Sequence, residues 1–239
     1  MEMNGRRVVV IGGTSGLGFA VARTVAAQAA SVVVASRARD RVDKAVAALG
    51  DGATGEIVDV TDEESLRGLF RRVGAFDHLV YTAGETLMNG TLEATDLEAA
   101  KRFFGIRCFG ALAAAKYAAP YLGAGGSITL TSGIPSTRPQ GGTVVVSSVL
   151  SAVEGLTRAL AFELAPVRVN AVVPSITRTE LWDGLPDSAR EDLFASVASS
   201  LLLRRVGEPH DIADAYAFLM NNDHTTGTLL TVDGGAVLV

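Results

Sequence analysis

The turn between the first apolar run and the first amphipathic stretch constrains this chain more than any other feature. Arg6–Ile11 is a short β-branched run that leads into Gly12-Gly13-Thr14-Ser15-Gly16-Leu17-Gly18, and helical periodicity follows over Gly16–Gln28. Glycine permits a tight turn and a close approach of backbone amides to a bound group. A helix starting there adds unpaired N–H groups and the positive end of its dipole. Strand, glycine turn and helix in that order predict a pyrophosphate cradle made by Gly12, Thr14, Ser15, Gly16, Leu17 and Gly18.

The rest of the chain alternates in the same way. Strands are expected at Ser31–Ala35, Thr54–Val58, His78–Tyr81, Ser127–Thr131, Val167–Val173 and Leu229–Val232. Helices are expected at Asp40–Leu49, Glu63–Val73, Leu97–Tyr121, Thr143–Ala165, Ser188–Ser199 and Asp211–Asn221. This predicts an α/β fold: a single Rossmann-type, doubly wound parallel sheet of about seven strands with helices on both faces. Nothing in the 239 residues divides them, so 1–239 is expected to form one domain. A net charge of −5 offers no basic footprint for nucleic acid. The apolar run after Arg6-Arg7 is too short for a membrane span or a signal peptide, and a cytoplasmic protein is expected. The lone cysteine, Cys108, excludes an internal disulfide. His78, His210 and His224 have no metal-ligand spacing, and no metal site is expected.

The second strand ends in Ser36-Arg37, with Arg39 and Arg41 close behind. An NAD site normally presents a carboxylate there to the ribose hydroxyls. A hydroxyl and a guanidinium suit a phosphate instead, and no carboxylate at this strand end opposes one. NADP(H) is the expected cofactor.

The spacing Gly-x-x-x-Gly-x-Gly resembles that of the short-chain dehydrogenase/reductase family, and four later segments extend the resemblance nearly end to end. Asp59-Val60 follows the third strand, where that family contacts adenine. Thr82-Ala83-Gly84 resembles its Asn-Ala-Gly turn. Pro174-Ser175-Ile176-Thr177-Arg178-Thr179 resembles its Pro-Gly-x-x-x-Thr segment. Val232-Asp233-Gly234-Gly235 matches its C-terminal signature. The resemblance implies that Asp59, Val60, Thr82, Ala83, Gly84, Pro174, Thr177 and Thr179 join the cofactor site.

The chemistry departs from that family. Its members use Ser, Tyr and Lys with a supporting Asn. Here Val153-Glu154-Gly155-Leu156-Thr157-Arg158 resembles the helix after Tyr-x-x-x-Lys, which puts Tyr at Val146 and Lys at Leu150. No tyrosine in the chain has a lysine four residues on. The resemblance keeps Ser132 at the serine position and puts Arg107 at the asparagine position. Arg107 cannot trade protons near neutrality, so it is expected to pair with a carboxylate or a substrate anion. General acid catalysis contributes about 10²–10⁴-fold, so ketone reduction should be slow by at least that factor. Val146→Tyr with Leu150→Lys should restore it if these two losses are the only defect.

Three functions remain open. The first is an atypical NADP(H)-dependent oxidoreductase acting on an activated alkene, iminium or quinone-like acceptor, with water, the substrate, Ser132 or Ser147 as the proton source. The second is a catalytically inactive NADP(H)-binding sensor or partner subunit. The third is a non-redox cyclase or isomerase. The ligand is expected to be a small, apolar molecule, since Val146 and Leu150 present either an apolar cleft wall or a better-packed helix. By resemblance, residues 175–205 form a substrate lid in which Leu181, Trp182 and Leu185 either cover a ligand or pack a loop. The two long apolar helices and the tail Ala236–Val239 predict a homodimer or homotetramer.

Overall fold

A computed structural model describes residues 3–239. Its strands are β1 (Arg7–Ile11), β2 (Ser31–Ser36), β3 (Ala53–Ile57), β4 (Phe76–Tyr81), β5 (Leu122–Thr131), β6 (Arg168–Pro174) and β7 (Leu229–Val232). The helices are α1 (Gly16–Ala26), α2 (Arg39–Leu49), α3 (Glu63–Val73), α4 (Leu97–Phe104), α5 (Gly110–Ala118), α6 (Val144–Glu163), α7 (Asp187–Ser200) and α8 (Pro209–Asn221). One sheet runs in the order β3-β2-β1-β4-β5-β6-β7, with every pairing parallel. The chain winds outward from β1 to β3 and restarts beside β1 at β4. A crevice opens at that reversal, beyond the carboxyl ends of the strands.

The strands are apolar without alternation because both faces are covered. Val9, Ile11, Val33, Leu79, Tyr81, Ile128 and Leu130 enter one core, which α3, α5 and α6 close. Val8, Val10, Val32, Val34, Val80 and Val172 enter the other, closed by α1, α2 and α8. Asp62 starts α3 by accepting the Glu64 amide, and Glu208 starts α8 in a reciprocal capping pair with Asp211. Of α6, Val146, Val149, Leu150, Val153 and Leu160 are buried. By length and composition alone α6 could cross a membrane, and the buried residues just named are spent on packing.

Two expectations change. β5 starts at Leu122, five residues before the expected Ser127, because Leu122 pairs with Phe76 across a glycine-rich irregularity. The single helix expected over Leu97–Tyr121 is interrupted by a π-turn at Gly105–Phe109 and ends in a 3₁₀ turn at Ala119–Tyr121. The cause is Tyr81, whose hydroxyl donates to the carbonyl of Ile106 at 2.5 Å and lies so close to Gly110 that a Cβ there would clash. Such turns concentrate at functional sites, and this one carries Arg107. On the helices from which subunit contacts are expected, Phe109, Leu112, Val144 and Phe162 stand exposed.

His78 lies buried in β4 with its Nδ1 2.9 Å from Ser127 Oγ. Burial lowers its pKa to about 4, against about 6.5 in an unfolded chain. Between those values the unfolded chain binds the extra proton, so stability rises with pH. Denaturant titrations should show a loss of about 3 kcal/mol from this group as pH falls from about 6.5 to 4. The loss should be largely absent in His78→Gln, and an unchanged profile in that variant would show that His78 is not the group responsible.

Candidate functional site

The crevice divides into two adjoining cavities. The first, about 540 Å³, is lined by Gly12, Thr14, Ser15, Gly16, Leu17, Gly18, Ser36, Arg37, Asp59, Val60, Thr82, Ala83, Gly84 and Thr179. Arg41 joins them, while Arg39 does not. Pro174 and Thr177 line the second cavity, about 640 Å³, instead. Close packing sets the shape of the first. A Cβ on Gly18 would collide with the Gly12 carbonyl and Thr82 Oγ1, and one on Gly12 would lie 2.7 Å from the Ala83 amide nitrogen. The Thr82 hydroxyl locks this arrangement by donating to the Ile11 carbonyl at 3.1 Å. α1 has no acidic residue in its first turn. A glycine cradle, a helix N-terminus and a guanidinium at the end of β2 form a donor set that fits a phosphate-bearing dinucleotide.

Two acidic groups enter this picture. The Gly16 amide donates to Glu180 Oε2 at 2.8 Å. Glu180 sits in a 3₁₀ turn, Glu180–Trp182, so a carboxylate of the chain takes an amide suited to a phosphate. Its sequence signal was an acid directly after Thr179. Asp59 lines the cavity with Arg37, so the guanidinium does have an acidic neighbour. That carboxyl is occupied: Thr61 Oγ1 and the Thr61 amide donate to Oδ1 at 2.7 and 2.9 Å. The hydroxyl, then the amide, and lastly the charge of Arg37 hold it below the usual carboxylate range.

Leu17, Arg107, Thr131, Thr179 and Leu181 line both cavities and form the wall they share. Among the described residues Arg107 has no carboxylate partner within ion-pair distance. It donates to the Glu85 carbonyl at 2.6 Å, rests on the Phe103 ring at 4.7 Å and keeps a buried Nε without a partner. Desolvation lowers its pKa. Gly84 makes room for it, since a Cβ there would lie 2.7 Å from the guanidinium.

The second cavity is mostly apolar in lining. Val146 and Leu150 face it and also pack with Phe103, Val149, Leu87 and Met88 in a small separate core. The two alternatives left open by the sequence therefore hold together: the wall is apolar and the helix is well packed. No tyrosine or lysine lines either cavity among the described residues. Burial drives the hydroxyl pKa values of Tyr81 and Tyr216 up, and both hydroxyls are bonded, to Ile106 O and Thr131 Oγ1. Ser147 donates to Thr143 Oγ1 at 3.0 Å and does not line the cavity. Ser132 lines it, but its hydroxyl donates at 2.8 Å to Glu154, a buried carboxylate absent from the expected site. Trp182 lines it with its Nε1 held by the Thr177 carbonyl at 3.0 Å, and Leu185 is not part of the lining.

A family model described as Enoyl-(Acyl carrier protein) reductase matches residues 12–237. "Short-chain dehydrogenase/reductase ATR9" of Stachybotrys chlorohalonatus is 36% identical, covering 99% of this chain and 98% of that protein. This chain belongs to the short-chain dehydrogenase/reductase family. Among solved structures, a small-chain dehydrogenase in complex with NADPH is 36% identical over 98% of this chain and 99% of its own, with a TM-score of 0.84. The MalC Reductase/Diels-Alderase from Malbranchea aurantiaca is 31% identical over 99% and 98%, with a TM-score of 0.92. As a short-chain dehydrogenase/reductase the chain carries the sheet and crevice of an oxidoreductase family, and Val146 and Leu150 lie on the wall of the second cavity.

Val146 is 1% exposed and Leu150 4%, and both pack in the small core as well as lining the cavity, so Tyr and Lys at these positions would press on that core. We expect Val146→Tyr/Leu150→Lys to lose about 1–3 kcal/mol of stability in denaturant titration from overpacking alone, and not to gain ketone reduction. Wild-type stability with a hundred-fold gain in cyclohexanone reduction would contradict this.

Proposed function

We propose that this chain is an NADP(H)-dependent oxidoreductase that reduces an activated double bond rather than a plain ketone. The glycine cradle and the NADPH complex of a 36% identical structure support the cofactor. Gly12, Thr14, Ser15, Gly16, Leu17 and Gly18 would hold the pyrophosphate, Ser36, Arg37 and Arg41 the 2′-phosphate, and Asp59 and Val60 the adenine. Bound there, the reduced nicotinamide supplies a hydride. Pro174, Thr177 and Thr179 border the passage to the second cavity, which takes the acceptor.

The position of Arg107 on the wall between the cavities carries this reading. A preorganised cation in a dry site stabilises charge that develops on an acceptor oxygen. Reduction of a carbonyl-conjugated alkene or a quinone places that charge on oxygen, and a proton from water completes the reaction. A plain ketone needs an acid at the reacting oxygen itself, and neither Val146 nor Leu150 supplies one. We expect NADPH consumption with 2-cyclohexenone or a benzoquinone to exceed that with cyclohexanone by about a hundred-fold. Arg107→Met should lower the enone rate by about a hundred-fold. Equal rates on cyclohexenone and cyclohexanone would reject the reading, and NADPH binding with no turnover of any acceptor would favour a non-catalytic binding protein.

A second reading has one specific support, the printed title of the Malbranchea structure, which couples reductase with Diels-Alderase. A cavity of about 640 Å³ with a mostly apolar lining suits a non-redox cyclisation as well. Product formation without net NADPH consumption would mark that activity.

Calorimetry tests the cofactor separately. NADPH should bind about ten-fold more tightly than NADH, and Arg37→Ala should abolish the difference. Glu180→Gln should tighten both dinucleotides by about two- to five-fold, because it removes a charge that competes for the Gly16 amide. Weaker binding in that variant would mean that Glu180 assists the cofactor.

A further inference from the structure

Ser132 follows β5, and its amide donates to the Val172 carbonyl at 2.9 Å, which fixes its place on the wall of the second cavity. Its hydroxyl has one proton and two lone pairs. Both acceptors in reach of that proton belong to α6: Glu154 Oε1 at 2.8 Å and the Leu150 carbonyl at 3.4 Å. The Ser136 hydroxyl also donates to Glu154 Oε1. Glu154 lies one helical turn beyond Leu150, is 6% exposed and lines neither cavity. Its carboxylate is acceptor-only, and hydrogen bonds to such a group are about twice as strong as neutral ones. The single proton of Ser132 is therefore spent on the far side of the wall, and the side facing the cavity has only lone pairs.

We propose that Glu154 is a positioning residue that makes Ser132 a hydrogen-bond acceptor, so that the second cavity selects an apolar, ring-bearing ligand presenting an N–H or O–H donor to Ser132. The ligand's carbonyl oxygen goes to Arg107, the cationic donor on the shared wall. A buried acceptor left unpaired costs free energy, so a ligand of the same shape with an oxygen in place of N–H is rejected. This deepens the proposed reductase by naming its substrate class, and it rests on the second cavity being the acceptor site.

The pair 2-quinolone and coumarin isolates the effect. Both are flat bicyclic rings with the same carbonyl, and ring N–H in one replaces ring oxygen in the other. Binding is measured by calorimetry on the protein saturated with NADP⁺, so no turnover is needed. Wild type should bind 2-quinolone at least about five-fold more tightly than coumarin. Glu154→Leu frees the Ser132 hydroxyl to turn, and the preference should shrink to within about two-fold; Ser132→Ala should do the same. Equal binding of the two probes by wild type, a preference for coumarin, or no binding of either at millimolar concentration would overturn the proposal. Retention of the preference in both variants would also overturn it. A neutron structure of the NADP⁺-bound protein gives a ligand-free reading that does not depend on either variant folding. Deuterium on Ser132 directed at Glu154 supports the proposal, and deuterium directed into the cavity, or on Glu154 and donated to Ser132, overturns it. Failure of NADPH to bind sinks the reductase reading, and the ligand then is not its substrate, while the acceptor role of Ser132 is still decided by the location of this deuterium in the unliganded protein.

Discussion

The contact between Gly18 and the Gly12 carbonyl is the constraint on which the crevice depends. It lets α1 start directly on top of the turn that leaves β1, and Thr82 closes the same point from β4. Any side chain at Gly12 or Gly18 would lift α1 off the sheet and separate the two strands at which the winding reverses. The first cavity is lined by all three of these residues, Gly12, Gly18 and Thr82. The apolar valines of β1 and β2 hold the sheet beneath in place by filling two cores at once.

The strands and most helices were legible in the sequence because their signals are local: apolar runs, glycine turns and capping acids. The lining of the first cavity was legible for the same reason, since short turns after the strands carry most of its residues. What the sequence hid depends on tertiary contact. The π-turn at Gly105–Phe109 exists because a tyrosine from β4 reaches the Ile106 carbonyl, and helical periodicity carries no trace of that contact. Glu154 reads as an ordinary helical acid until Ser132 and Ser136 are seen to donate to it. Glu180 is separated by 164 residues from the amide it accepts.

The Gly16 amide would be an orphan donor at the start of α1, and the Glu180 carboxylate satisfies it. The same charge is unfavourable beside a phosphate. The Gly16 amide, held by Glu180 in the 3₁₀ turn Glu180–Trp182, cannot serve a second acceptor at the same time. In the same turn Trp182 lines the second cavity while its Nε1 is anchored to Thr177.

Phe103 ties together Arg107, Val146 and Leu150, the positions at which the sequence is read as departing from the family's motif. Its ring carries the guanidinium of Arg107 on one side of the site and packs with Val146 and Leu150 in the small core. An arginine in this place needs an aromatic surface and a nearby glycine, and Phe103 and Gly84 provide them. The valine, the leucine and the arginine thus share one aromatic neighbour. On the opposite side, the Ser132 hydroxyl donates to Glu154. The second cavity thus holds a cation, Arg107, and a serine whose proton is directed away to Glu154, on an otherwise mostly apolar lining.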